Sequence, residues 1–188
     1  AMRREREAEE ARQKAEARER ASAILAESEP CTEHPYLTRK RIKANGARAY
    51  KGALLIPMRA GGDLHSLQFI DTDGTKRFLS GGRVAGCYFS IGKPDGVLCI
   101  AEGFATGATI HEATGHAVAV AFNAGNLLRI VEVMREKFPD VQFVGMEPAV
   151  KPAAEQTSTG KVGVLATPAT FQGALYASVV ERFANGVE

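Results

Sequence analysis

The chain of 188 residues lacks the features that mark several protein classes. Its three cysteines, Cys31, Cys87 and Cys99, lie far apart, so they form neither a C-x-x-C metal motif nor a disulfide framework. No apolar run approaches the length of a membrane-spanning helix, and the charged amino end lacks the apolar centre of a secretory signal. We therefore expect a soluble protein of a reducing cytoplasm, with no membrane partner.

Two catalytic motifs are also incomplete. His111-Glu112 and His116 mimic a zinc-protease motif, but the histidines are five residues apart instead of four, with Gly115 between them. Gly160-Lys161 is followed by valine and has no glycine-rich loop before it. The sequence therefore predicts neither a zinc protease nor a phosphate-binding P-loop.

Net charge is small, because 24 lysines and arginines face 22 acidic residues. Any nucleic-acid contact must therefore rest on local patches. The densest patch is Arg39, Lys40, Arg41 and Lys43, which is able to hold phosphates; taken alone, these residues slightly favour a solvated basic helix. Ser80-Gly81-Gly82-Arg83 offers backbone amides and a counter-charge at Arg83, although a flexible loop accounts for it as well.

Composition and periodicity divide the chain into four parts. The pattern predicts an exposed charged helix or linker over residues 1–28. It predicts a basic segment followed by a β-meander over residues 29–96. Residues 97–144 alternate strands and helices, which favours parallel strands with right-handed crossovers. In the tail, residues 145–188, the apolar pattern predicts one more strand, Val162 to Ala166, and a helix from about Phe171.

The segment from Val97 to Gly107, VLCIAEGFATG, carries the most specific chemical signal. Four apolar residues predict a buried strand, Glu102 follows it, and Gly103 turns the chain into a helix. In an open α/β sheet, ligands bind at the carboxyl ends of the strands. Glu102 is thus a candidate catalytic residue, and the spacing fits a surface glutamate at a helix start equally well.

Several segments, in order, resemble the Toprim region of primases encoded by plasmids, phages and integrated elements. They span about residues 34–143: HPYLTRKRIKANG, ALLIPMR, LHSLQFIDTDGTKRFLSGGR, GCYFSIG and LCIAEGFATGATIHEATGHAVAVAFNAGNL. The resemblance implies an α/β fold with a Toprim-like Rossmannoid parallel sheet and flanking helices. It also implies that Glu102 is the general acid/base of nucleotidyl transfer, that DNA or RNA is the partner, and that nucleotides are substrates.

The Toprim pattern is incomplete in this chain, because the Asp-x-Asp pair that holds Mg²⁺ in the family is missing. Glu147 stands near the expected position, so Glu102 and Glu147 are the candidates for a weakly held Mg²⁺; a capping or solvent role for Glu147 is simpler. We expect primer synthesis to be absent or feeble.

The tail, about residues 144–188, resembles an internal piece of glutamate racemase through GMEPAVKPA and VGVLATPAT. That family uses two cysteines as paired acid and base, and neither cysteine motif occurs here. Thr167 and Thr170 resemble substrate-contacting positions of the family. The chain is therefore expected to be chimeric.

Three functional hypotheses follow. The first is a primase-derived, nucleic-acid-associated domain with weak or no nucleotidyl transfer. The second is a noncatalytic nucleic-acid-binding or regulatory module on the same scaffold. The third is a glutamate-racemase-related fragment, an isomerase lacking both catalytic cysteines.

Overall fold

A computed structural model describes residues 2–145, 154–162 and 174–184 of the chain. The chain forms two compact units, Ala1–Val144 and Gly145–Glu188. In the first unit the helices are α1 (Met2–Glu27), α2 (Pro35–Lys40), α3 (Phe104–Thr114) and α4 (Ala124–Lys137). The strands are β1 (Glu29–Pro30), β2 (Arg48–Tyr50), β3 (Ala53–Ala60), β4 (Asp63–Ile70), β5 (Lys76–Phe78), β6 (Phe89–Ile91), β7 (Val97–Ala101), β8 (Ala117–Val120) and β9 (Gln142–Gly145).

The first sheet is antiparallel and has the strand order β1-β2-β3-β4-β5. Its β3-β4-β5 part is the predicted meander, and the Asp71–Gly74 turn closes the second hairpin. The short strands β1 and β2 were not predicted from the sequence, since two or three residues are too few to show a period. The strand β5 forms one edge of this sheet.

The amino-terminal helix is not the exposed linker that its composition predicts along its whole length. Ala17 and Ala21 are fully buried, and Ile24 and Leu25 pack against a cluster on β3 and β4. Arg18 forms an ion pair with Asp63 at 3.1 Å, and Arg20 donates a hydrogen bond to the Ser80 carbonyl oxygen at 2.7 Å. Small alanines at i and i+4 let the second half of α1 lie close to the sheet, a contact that a search for large apolar residues misses.

The second sheet confirms the α/β class and corrects one detail of it. Its order is β6-β8-β7-β9, with β7 and β8 parallel as predicted, but β6 pairs with β8 in the antiparallel direction. The sheet is therefore mixed, and β6 is an edge strand that the sequence pattern did not reveal. Side chains alternate on β7, so Cys99 and Ala101 face α3 while Leu98 and Ile100 face α4.

One apolar core lies between the two sheets of the first unit. Residues of α2, β3 and β4 share a buried cluster with residues of α3, β6, β7 and β8. Phe104 at the start of α3 is fully buried in this cluster and meets the Phe89 ring edge-to-face, with centroids 5.9 Å apart. The shared core fixes the antiparallel sheet over the α/β layer.

Gly107 allows α3 to approach the second sheet closely. A Cβ atom at this position would lie 2.8 Å from Val120 Cγ2 and 3.2 Å from Val118 Cγ1. Real Cβ contacts are longer than that, so the helix and strand must separate if the side chain grows. The glycine therefore sets the height of the amino end of α3 above β8.

We expect Gly107→Ala to lower the free energy of unfolding by about 1–3 kcal/mol through overpacking. Gly125→Ala is the matched control, because Gly125 also lies in a helix but its added Cβ would have only Asn123 Oδ1 nearby, at 3.5 Å. It should leave stability unchanged or raise it by up to about 1 kcal/mol. Urea unfolding followed by circular dichroism measures both, and equal effects would contradict the close-approach argument.

The described residues of the second unit are 154–162 and 174–184. They include helix α5 (Ala174–Phe183), close to the predicted start near Phe171, and a turn in which the Thr157 hydroxyl donates to the Lys161 carbonyl oxygen at 2.9 Å. Most of the predicted strand, residues 163–166, lies outside the described residues, as do Glu147, Thr167 and Thr170. Among the described helices, none has the length and apolarity needed to cross a membrane.

Candidate functional site

Glu102 lies directly after β7 and two residues before α3, at the carboxyl rim of the parallel strands. Its side chain is exposed, and within the described part of the chain it makes no hydrogen bond or ion pair. The Ala121 N–H donates to the Ala101 carbonyl oxygen at 2.8 Å, which ties the ends of β7 and β8 together at this rim. Glu102 is thus a free carboxylate on a rigid support.

A cleft of about 340 Å³ lies beside this rim. Its walls come from α2, from the turn between β4 and β5, and from the start of α3. The residues that line it are Tyr36, Arg39, Lys40, Asp73, Gly74, Lys76, Gly103, Ala105 and Thr106. Glu102 is not itself among them, although the next residue in the chain, Gly103, is.

Positive charge dominates this cleft. Arg39, Lys40 and Lys76 line it together with a single carboxylate, that of Asp73. Asp73 accepts hydrogen bonds from the Thr75 amide at 2.8 Å and from the Thr75 hydroxyl at 2.9 Å, and these bonds, with Arg39 a lesser cause, lower the pKa of its carboxyl group. Lys40 and Lys76 have no acidic partner among the described residues. The amino end of α3 adds a partial positive charge.

Lys76 is the cleft residue that sequence reasoning missed. It lies on β5, and its Nζ atom is 3.8 Å from where a Cβ atom on Gly103 would stand. Two residues further on, Phe78 meets Phe122 edge-to-face, with ring centroids 6.3 Å apart. The strand β5 therefore runs along the carboxyl ends of β7 and β8, an arrangement of two sheets that no local sequence pattern specifies.

The predicted basic patch divides when the chain folds. Arg39 and Lys40 line the cleft, and Arg39 also donates to the Thr72 carbonyl oxygen at 3.0 Å. Arg41 is the left-handed cap residue of α2, with φ 56°, and neither it nor Lys43 lines the cleft. A buried histidine, His34, holds α2 in place by accepting from the Tyr36 amide at 3.2 Å.

Part of the loop from Ser80 to Arg83 is used for packing and hydrogen bonding within the first unit. Gly82 lies so close to the buried Ser66 hydroxyl that any side chain would collide with it, and the Gly82 amide donates to the Leu79 carbonyl oxygen at 3.0 Å. Arg83 donates from Nε to the Ala85 carbonyl oxygen at 2.7 Å and lies outside the cleft. The glycine serves close packing, and Arg83 is separate from Arg39 and Lys40.

Two residues after β8 shape the rim. Phe122 has φ 72°, a left-handed conformation that is unusual for a bulky residue, yet its side chain is buried. Asn126 is also buried, and it accepts from the Gly86 amide at 2.8 Å while donating to the Cys87 and Ala121 carbonyl oxygens, both at 2.9 Å. Asn126 therefore links the loop before β6 to the end of β8 through these hydrogen bonds.

The described residues do not form a prepared metal site. Among them, no group of three or more histidine, cysteine or acidic side chains is close enough to hold an ion. Of the carboxylates that the structure describes near the rim, Glu102 has no hydrogen-bond partner, and both oxygens of Asp73 are used by Thr75. His111 Nδ1 contacts the His116 carbonyl oxygen at 2.8 Å, and Glu112 accepts from the Lys43 amide at 2.8 Å, so both of these side chains have structural partners.

The three cysteine thiols are poorly suited to act as acid and base at the α-carbon of an amino acid. Cys31, Cys87 and Cys99 are all buried and free. Burial raises the pKa of each thiol, so the reactive thiolate is scarce at neutral pH. A pair of exposed, opposed cysteines of the racemase kind is therefore missing from the chain.

Parts of the chain are similar to two kinds of enzyme. Two proteins named DNA primase TraC, both from Escherichia coli, match it at 43% identity over 90 residues and 36% over 115 residues, covering 45% and 56% of this chain. Glutamate racemases match at 49% over 71 residues in Pseudomonas putida (strain W619) and 42% over 103 residues in Roseiflexus sp. (strain RS-1), covering 38% and 55%.

The chain is therefore chimeric: it combines a part similar to DNA primase with a part similar to glutamate racemase. It spans 8% of the length of each primase and 26% and 37% of the two racemases. No family model matches it, and no solved structure does. The last 71 residues of the chain begin at residue 118, so a racemase match of 71 residues begins there or earlier. The similarity to racemase therefore begins before residue 144, where the predicted racemase-like tail starts.

We expect Asn126→Ala to lower the free energy of unfolding by about 2–4 kcal/mol, because it leaves a buried amide and two buried carbonyls without their partner. Asn123→Ala is the control, since Asn123 caps α4 without a side-chain hydrogen bond. Its loss should stay below about 1 kcal/mol. Circular dichroism melts compare the two variants. An Asn126 variant as stable as the control would show that the Asn126 side-chain hydrogen bonds contribute little to stability.

Proposed function

We propose that the first unit is a primase-derived, Toprim-like domain that binds nucleic acid through phosphates held in the cleft at the sheet rim. The observation that carries the proposal is the cleft itself, where Arg39, Lys40 and Lys76 meet beside the start of α3 with little neutralising charge. The similarity to proteins named DNA primase supports nucleic acid as the anion.

The cations act by ion pairing and counterion release, which depend steeply on salt and little on base sequence. Arg39 is held in place by the Thr72 carbonyl oxygen and by stacking near Tyr36, with its guanidinium carbon 5.8 Å from the ring centroid. Lys40 and Lys76 have no acidic partner among the described residues, and they line the cleft from α2 and from β5, so each is available to a different phosphate. This geometry suits a flexible single strand.

Nucleotidyl transfer is expected to be absent or feeble. One free carboxylate, Glu102, does not make a Mg²⁺ site with the other described residues, so any Mg²⁺ would arrive with the phosphates it already coordinates. Glu102 is then placed to accept a proton at the cleft edge, with no metal pair beside it. A noncatalytic binding module is the alternative that this geometry favours over an active primase.

Binding of a labelled single-stranded oligonucleotide, followed by fluorescence anisotropy across a salt series, tests the cleft. With about three phosphate contacts, the logarithm of the binding constant should fall with the logarithm of salt at a slope of about −2. Replacing Lys40 and Lys76 together by glutamine should weaken binding and make the slope shallower by about 1.4.

Lys93→Gln is the control for charge, because Lys93 is exposed and lies before β7, at the opposite end of the strand from the cleft. It should change the slope by less than about 0.3. If the double variant and the control bind alike, the cleft does not hold phosphate.

A primer-synthesis assay with Mg²⁺ or Mn²⁺, comparing the unaltered chain with Glu102→Gln, separates the binding module from the enzyme. We expect no product above background from either chain. Robust synthesis that Glu102→Gln abolishes by about 100-fold or more would make the domain an active nucleotidyltransferase instead.

A further inference from the structure

An aromatic ring stands exposed beside the phosphate cleft, on the same strand as one of its cations. Of the large apolar side chains that the structure describes, Phe78 and Leu128 are the two that are substantially exposed, Phe78 by 39%. Phe78 is two residues from Lys76 on β5, so both side chains leave the strand on the same face. Because Phe78 shares this face with Lys76, its exposed ring is a candidate contact for a ligand bound in the cleft.

The Phe78 ring is held in a fixed orientation. Its contact with Phe122 is edge-to-face, with an interplanar angle of 83°. Phe122 is buried and keeps a left-handed backbone conformation, which places its ring at the end of β8 in spite of the strain. Because one side of Phe78 is supported in this way, its exposed face needs no reorganisation to receive a flat ligand.

The spacing fits one nucleotide. Residues i and i+2 of a strand have Cα atoms about 6.7 Å apart, so Lys76 and Phe78 are close enough to contact the phosphate and the base of one nucleotide. We infer that Phe78 is a stacking platform for a base of the single-stranded nucleic acid whose phosphate Lys76 holds. The inference rests on the proposed function. It adds a stacking contact with the base to the ionic contacts with the phosphates.

An oligonucleotide of single-stranded DNA that carries 2-aminopurine at successive positions tests the platform in the full chain. Stacking on Phe78 should quench the fluorescence at one or two positions. Phe78→Leu keeps an apolar contact with Phe122 but removes the flat face, so it should abolish the quench and weaken binding by about 5-fold to 100-fold. The salt slope should be unchanged, because no phosphate contact is lost.

Phe78→Tyr keeps the ring and should restore both quench and affinity. Leu128→Ala removes the other exposed apolar side chain, which lies on α4, and should alter neither measurement. Circular dichroism of each variant shows whether the fold is retained.

The stacking inference and the proposed function fail in different ways. Binding that keeps its salt slope and its affinity in Phe78→Leu, without a quench at any position, overturns stacking and leaves the phosphate cleft intact. The absence of any oligonucleotide binding at low salt overturns both.

Discussion

The apolar core shared by the two sheets of the first unit is the interaction on which the rest of that unit depends. Ile56 and Ile70 of the antiparallel sheet, with Phe104 and Val120 of the α/β layer, belong to one buried cluster. Burying such side chains contributes about 1.5–3 kcal/mol each. Because this core fixes the layers, β5 runs over the carboxyl ends of β7 and β8, and the gap left there is the cleft with its exposed charges.

The cleft differs from α1 in how its cations are paired. Along α1, cations pair with acids at i+3 and i+4, as in Arg12 with Glu9 at 2.9 Å. At the cleft, Lys40 and Lys76 have no such partner among the described residues, although they stand beside a helix start. Holding like charges together costs free energy, and a bound polyanion relieves that cost.

Local patterns predicted most elements of the first unit and the position of Glu102, because strand and helix periods and the Gly103 turn are written in neighbouring residues. They did not predict β6, the burial of α1 through Ala17 and Ala21, or the roles of Lys76 and Asn126. Each of these depends on contacts between residues far apart in the sequence, such as Asn126 with Gly86. The basic patch was predicted as a unit, yet the left-handed turn at Arg41 separates its members. The primase and racemase motifs predicted the chimera, which the similarities to known enzymes confirm.

A crystal structure of the chain with a short single-stranded oligonucleotide tests the central claim most directly. The account predicts a phosphate within hydrogen-bonding distance of Lys76, a second phosphate near Lys40, and a base against Phe78. An oligonucleotide seated on another surface of the first unit, with the cleft between α2, β5 and α3 left free of phosphate, would contradict it.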